Sequence, residues 1–289
     1  MLEINGFDSG ALDLLFSTGR LALPIAFAVL GGLISEKSGT AQIGLEGMML
    51  AGALVAATVT TLTGSPYWGM GGVVLVGLLL GLFMSVFVVE LGGEQIIVGM
   101  ALNLLVFGLA PFVTQLLFHS AGSTPPLAPE LRFGSAFYVL FATVAVIYFF
   151  IFERTPFGLW IRFAGENPNV LLAAGVSVRF VRRLALILCG MLSAIGGSVL
   201  TLSLASSYSP MMTAGRGFMA LASIIFGGWR PGPALLACLF FAFSDAVQIR
   251  MQGASSIPVQ FIQILPYAAT IVALAGFRRR GRPPQSLGT

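Results

Sequence analysis

In this chain of 289 residues, 57% are hydrophobic and only 9% charged, whereas a soluble globular domain carries roughly 25% charge, so a water-soluble fold is excluded. The net charge of +4 does not point to nucleic acid, because the basic residues fall between and after apolar runs, where they mark membrane topology. Cys189 and Cys238 both lie inside apolar runs, which excludes a disulfide framework.

Glu3, Asp8 and Asp13 precede the first apolar run, and no basic leader or small-residue cleavage pattern accompanies them, so the first helix is expected to be retained. Stretches of the roughly 20 apolar residues needed to cross a bilayer then recur along the whole length. They predict an all-α polytopic bundle forming one transmembrane domain over residues 1–289. Gly, Pro and charge punctuation divides it into about nine spans, within a range of eight to ten: 15–35, 42–63, 68–90, 95–118, 135–152, 183–205, 214–229, 233–250 and 258–277. The seventh is short enough to be re-entrant.

The first interruption, "EKSGTAQIGLEGMML" from residue 36, places Gln42, Gly44, Glu46 and Gly47 between apolar runs. Irregular backbone at membrane depth survives only where protein or water covers it. A buried carboxylate there faces a bundle interior or an aqueous path, so Glu46 either lines a solute pathway or is wet at the interface. Small residues at helix-pairing spacing, Gly77 with Gly81 and Gly190 with Ala194, predict close backbone packing.

In "GGEQIIVGMALNLL", Gln95, Gly99, Asn103 and Phe107 share one helical face. Amides beside an aromatic suit a small polar solute with a flat apolar part. The alternative is an interhelical hydrogen bond from Asn103. Asp245, five residues before Arg250, reads as a structural polar contact.

Residues 153–183 form a long connection between spans. Within it Asn167 suits an N-cap, Pro168 the first helical position and Gly175 a left-handed stop, predicting a helix over 168–174. Val170, Leu171, Leu172, Ala173 and Ala174 make it apolar nearly all round. One side is expected against the membrane domain, the other in a partner's groove or on lipid.

With the N-terminus outside, Lys37, Arg154, Arg162, Arg179, Arg182, Arg183, Arg230, Arg278, Arg279, Arg280 and Arg282 fall inside, leaving Arg20, Arg132, Arg216 and Arg250 outside. Retention of basic residues on the inner side therefore predicts that the 153–183 loop and the basic tail 278–289 are cytoplasmic.

The runs "ISEKSGTAQIGLEGMMLAGALVAA", "TPFGLWIRFAGENPNVLLAAGVSVRFVR" and "GRGFMALASIIFGGWRPGPALLA" resemble the membrane permease subunits of bacterial ABC importers. The likeness is to the simple-sugar and nucleoside branch, related to ribose and branched-chain amino acid permeases. It implies that a cytoplasmic coupling helix, Asn167 with Pro168, Leu171, Leu172, Ala174 and Gly175, docks into a separate ATPase subunit. Gly158, Arg162, Gly165 and Glu166 lead into it, and Gly215, Arg216, Gly217 and Phe218 carry the third motif. Glu46 and Gly47 would lie beside the translocation path. The resemblance further implies pairing with a second permease subunit, as heterodimer or homodimer, an external substrate-binding protein, and the bacterial inner membrane as location.

No covalent chemistry is expected of this chain. A phosphate-cradling G-x-x-x-x-G-K-[ST] loop is missing, since Lys37 is the only lysine and Glu36 precedes it, so ATP and magnesium belong to the partner and no cofactor is expected here. A membrane-embedded enzyme would need convergent acids, bases or metal ligands, yet there is one histidine, His119, and neither H-E-x-x-H nor G-x-S-x-G. An ion-coupled secondary transporter uses broken helices and buried carboxylates too, but needs no docking helix.

Overall fold

The computed structural model describes residues 4–120, 122–254 and 282–288. The regular elements among them are all helical: α1 Ile4–Lys37, α2 Leu45–Thr63, α3 Pro66–Met84, α4 Gln95–Phe118, α5 Ala136–Arg154, α6 Pro156–Glu166, α7 Pro168–Ala173, α8 Val178–Val199, α9 Arg216–Phe226 and α10 Pro231–Ala254. Proline opens α3, α6, α7 and α10, where its missing N–H costs nothing and its φ is already helical. α3 and α8 continue through wider π-helical turns to Glu90 and Leu204.

Seven helices among the described residues are long and apolar enough to cross a membrane, not nine. The predicted span 214–229 is the correction: its helix, α9, has 11 residues. At 1.5 Å per residue that is about 16 Å, half of a hydrocarbon core of about 30 Å. The predicted span 258–277 lies outside the described residues.

Helices that are apolar all round are placed by side-chain size. α1, α2 and α8 are largely buried, whereas α3, α4 and α5 leave most of their surface open. α2, "LEGMMLAGALVAATVTTLT", is rich in Gly, Ala and Thr and lets neighbours approach from every side. α4 and α5 present Leu104, Phe112, Leu116, Phe150 and similar large residues outward, as a lipid- or subunit-facing surface does. The small-residue spacing is realised at the α3–α8 crossing. A Cβ on Gly190 would stand 2.2 Å from the Gly77 carbonyl oxygen, and one on Gly81 2.6 Å from the Ile187 Cα.

Contacts sort the loops into two faces. On one, Trp229 donates its indole N–H to Glu36 at 2.5 Å, Arg182 donates to the Ser38 carbonyl at 3.2 Å, Arg183 pairs with Glu90, and the Ser286 N–H donates to the Gly165 carbonyl at 2.8 Å. On the other, the Leu127 N–H donates to Ser206 at 2.6 Å and Arg132 to the Ser203 carbonyl at 2.8 Å. Lys37, Arg162, Arg182, Arg183, Arg230 and Arg282 thus share the first, basic face. Arg216 is half-buried, and its guanidinium donates to the carbonyls of Met212 and Thr213 at 3.2 Å each.

Candidate functional site

α8 and its π-helical turn end on the face opposite the basic one, and the chain returns through an irregular segment, residues 205–215, before α9 begins. Tyr208 and Thr213 in that segment are buried. Its other residues are half-buried or exposed, Met211 to 56%. The start of α9 is a helix end with unsatisfied N–H groups and a partial positive charge. Glu46, at the start of α2, fills that need. One carboxylate oxygen accepts the Gly215 N–H at 2.8 Å and the other the Gly217 N–H at 2.6 Å.

Glu46 is 2% exposed, so it is not a wet interfacial residue. Burial of a carboxylate is offset here by two charge-assisted hydrogen bonds and a favourable helix dipole. The two glycines of "GRGF" then have separate reasons. Gly215 has φ +81, and a Cβ on Gly217 would stand 2.4 Å from the Glu46 backbone nitrogen. Phe218 is turned outward. This joint spans 169 residues of sequence, and nothing local announces it.

The face of α4 works on the same loop. The Asn103 side-chain oxygen accepts the Gly47 N–H at 2.7 Å, and its nitrogen donates to the Ile43 carbonyl at 3.0 Å. The Gln95 side-chain oxygen accepts the Ala41 N–H at 2.5 Å. Between them, Gly99 lies against Gly44, its virtual Cβ 3.0 Å from the Gly44 nitrogen. Phe107 is half-buried against the cluster around Met48 and Leu102. Of the predicted α4 set, Gln95 and Asn103 hold backbone. Gln42 differs: it is fully buried, its nitrogen reaches only sulfur, at 3.6 Å from Cys189 and 3.9 Å from Met48, and its carbonyl oxygen has no partner. The Thr213 hydroxyl and the Arg216 Nε are also buried without a partner. Asp245 is buried in α10.

The third cluster is the elbow of α6 and α7. A Cβ on Gly158 would stand 2.5 Å from the Phe152 carbonyl oxygen, so α6 folds back tightly on α5. Arg162 secures that turn through the Phe152 carbonyl and the Glu153 carboxylate, both at 2.7 Å. Gly165 lies against α1, its virtual Cβ 2.3 Å from the Lys37 carbonyl oxygen. Glu166 and Asn167 are exposed.

Asn167 takes the N-cap position, but its side chain makes no capping bond; Pro168 supplies the turn instead. α7 ends at Ala173, one residue before the expected end, with Ala174 as its cap. Gly175 closes it at φ +73, and the Val176 N–H returns to the Leu171 carbonyl at 2.9 Å. Leu171 is 1% exposed in the core while Leu172 is 61% exposed. No three His, Cys, Asp or Glu side chains among the described residues gather to hold a metal ion.

Similarity to known proteins agrees with this architecture. The chain is 30% identical over 294 residues to a guanosine ABC transporter permease protein of Bacillus subtilis, covering 92% of each. It is 30% identical over 291 residues to a nucleoside ABC transporter permease protein of Lactococcus lactis, again covering 92% of each. A more distant relative is a glucose ABC transporter permease protein of Haloferax volcanii, 24% identical over 272 residues, 84% of this chain and 71% of that one. No solved structure matches the chain. Residues 14–274 match the family described as the permease component of the branched-chain amino acid transport system, and the chain belongs to that family.

Proposed function

We propose that this chain is the bilayer-spanning subunit of an ATP-driven importer that carries a nucleoside or simple sugar inward, with α7 as the coupling helix on which a separate cytoplasmic ATPase acts. The observation that carries this reading is the division of α7: Leu171 is locked into the core while Leu172 stands in the open one residue later. An apolar residue presented from a rigidly anchored short helix suits a partner's groove. Its basic surroundings support a cytoplasmic side for that face, in a bacterial inner membrane.

Close contacts connect α7 to α9. Gly165, just before α7, presses on Lys37 and Gly39; the loop from Ser38 leads to Glu46; and Glu46 holds the start of α9. Displacement of α7 by the ATPase would therefore reach α9 through packed backbone. In this mechanism Glu46, Gly44, Gly47, Gln95 and Asn103 shape the wall of the translocation path. Phe107 offers it an aromatic surface. Gln42 and Thr213 hold unpartnered polar atoms that a hydroxylated solute could engage. The nucleoside or sugar class follows from what the relatives transport. A second permease subunit, sister or copy, would cover the open faces of α4 and α5, and an external binding protein would deliver the solute.

The test is ATP-dependent uptake of labelled guanosine and of labelled glucose by the full complex in liposomes. We expect one of the two to be taken up, and Leu172→Glu to abolish uptake without lowering the amount of chain in the membrane. Unchanged solute-stimulated ATP hydrolysis in that variant would overturn the coupling assignment. Uptake driven by a proton or sodium gradient without ATP would overturn the importer reading itself.

A further inference from the structure

A cavity of about 850 Å³ opens on the basic face between the ends of α1, α5 and α6 and the α9–α10 turn. Lys37, Arg162, Arg230 and Arg282 line it beside Glu153 and Glu166, so four cations face two carboxylates, an excess of two positive charges. Glu153 is already engaged by Arg162. Lys37, the chain's one lysine, is half-buried and within Coulombic reach of Arg162, Glu153, Arg230 and Glu166, yet no carboxylate among the described residues stands within ion-pair distance of it. Arg230 and Arg282 are exposed and likewise belong to no ion pair among the described residues. They come from three separate parts of the chain, so their convergence is a product of the fold.

Like charges gathered at a half-buried wall repel one another, and the repulsion is relieved when an anion enters. Two guanidinium groups and an ammonium match a tetrahedral oxyanion better than a single carboxylate does. The first turn of α10, at Pro231–Pro233, adds the positive end of a 24-residue helix to the same wall. We infer that this cavity binds a phosphate-bearing anion, with the phosphate seated among Lys37, Arg230 and Arg282. Its volume exceeds that of phosphate alone and admits the group attached to it. Two sources share this chemistry: an anionic phospholipid headgroup, since the cavity lies where spanning helices end, and a soluble phosphate ester. The inference does not depend on the role of α7, because it needs only the cavity and its unpaired cations.

Two measurements on the purified full-length chain separate the sources. Native mass spectrometry from mixed micelles would compare retention of phosphatidylglycerol with that of phosphatidylcholine. Calorimetry in neutral detergent would measure binding of inorganic phosphate against chloride. Preferential retention of phosphatidylglycerol identifies the lipid source, and phosphate binding without it identifies the soluble one. In either case we expect Lys37→Gln and Arg230→Gln each to lower binding about tenfold, with Arg179→Gln, outside the cavity, as unchanged control. Arg230 is exposed, so its variant keeps the test valid should Lys37→Gln unfold; an unfolding temperature identifies that case. Binding of neither probe, or wild-type binding by Arg230→Gln, would overturn the inference.

Discussion

The Glu46 joint and the α6–α7 elbow both bring glycines and polar residues against α1 or α2, but they finish in opposite ways. At the joint both carboxylate oxygens are taken by backbone N–H groups of α9, and almost nothing of the side chain is left to solvent. At the elbow one leucine is sealed and its neighbour is presented. Inside the membrane an unmade hydrogen bond has no water to fall back on, so the joint must be complete within one chain. Outside it, an apolar side chain can stay exposed until a partner covers it. The first region therefore holds shape, and the second is the one that the proposed coupling would use to receive force.

The contrast can be broken at its tightest point first. Gly217→Val would drive a branched side chain into the Glu46 backbone, and we expect a loss of about 3 kcal/mol or more, seen as failure to recover a monodisperse chain from the membrane. Glu46→Gln keeps one acceptor but turns an amide donor toward the other N–H. The expected cost is about 2–3 kcal/mol by unfolding in detergent. Leu171→Ala empties a core site beneath the elbow, for about 2 kcal/mol, the low end for a buried leucine because a two-turn helix can settle inward. Leu172→Glu should change stability by less than about 0.5 kcal/mol while removing uptake. If Leu172→Glu unfolded the chain as much as Leu171→Ala, the division of α7 into an anchored and a presented side would be wrong.

Much of this was readable in order along the chain. Asn167, Pro168 and Gly175 marked the ends of α7 to within a residue, because helix boundaries are set by local backbone chemistry. The spacing of Gly77, Gly81 and Gly190 announced a close crossing for the same kind of reason. The span 214–229 was overdrawn because an apolar window measures composition alone. It cannot see that residues 205–215 run as irregular chain and leave only eleven residues for helix. Gln95 and Asn103 were visible as a polar face of α4, but which backbone groups they hold was not.

The sequence by itself determined that the chain is a membrane-spanning helical bundle, where most helices begin and end, and which loops carry the basic residues. These properties depend on transfer of side chains out of water and on dihedral preferences, both local. Only the tertiary structure decided that Glu46 caps α9, that Leu171 and Leu172 part company, and that Lys37, Arg230 and Arg282 surround one cavity. Each of those is a meeting of groups far apart in the chain, fixed by how closely glycine-lined helices can approach and by the need to pair every polar group that the approach buries.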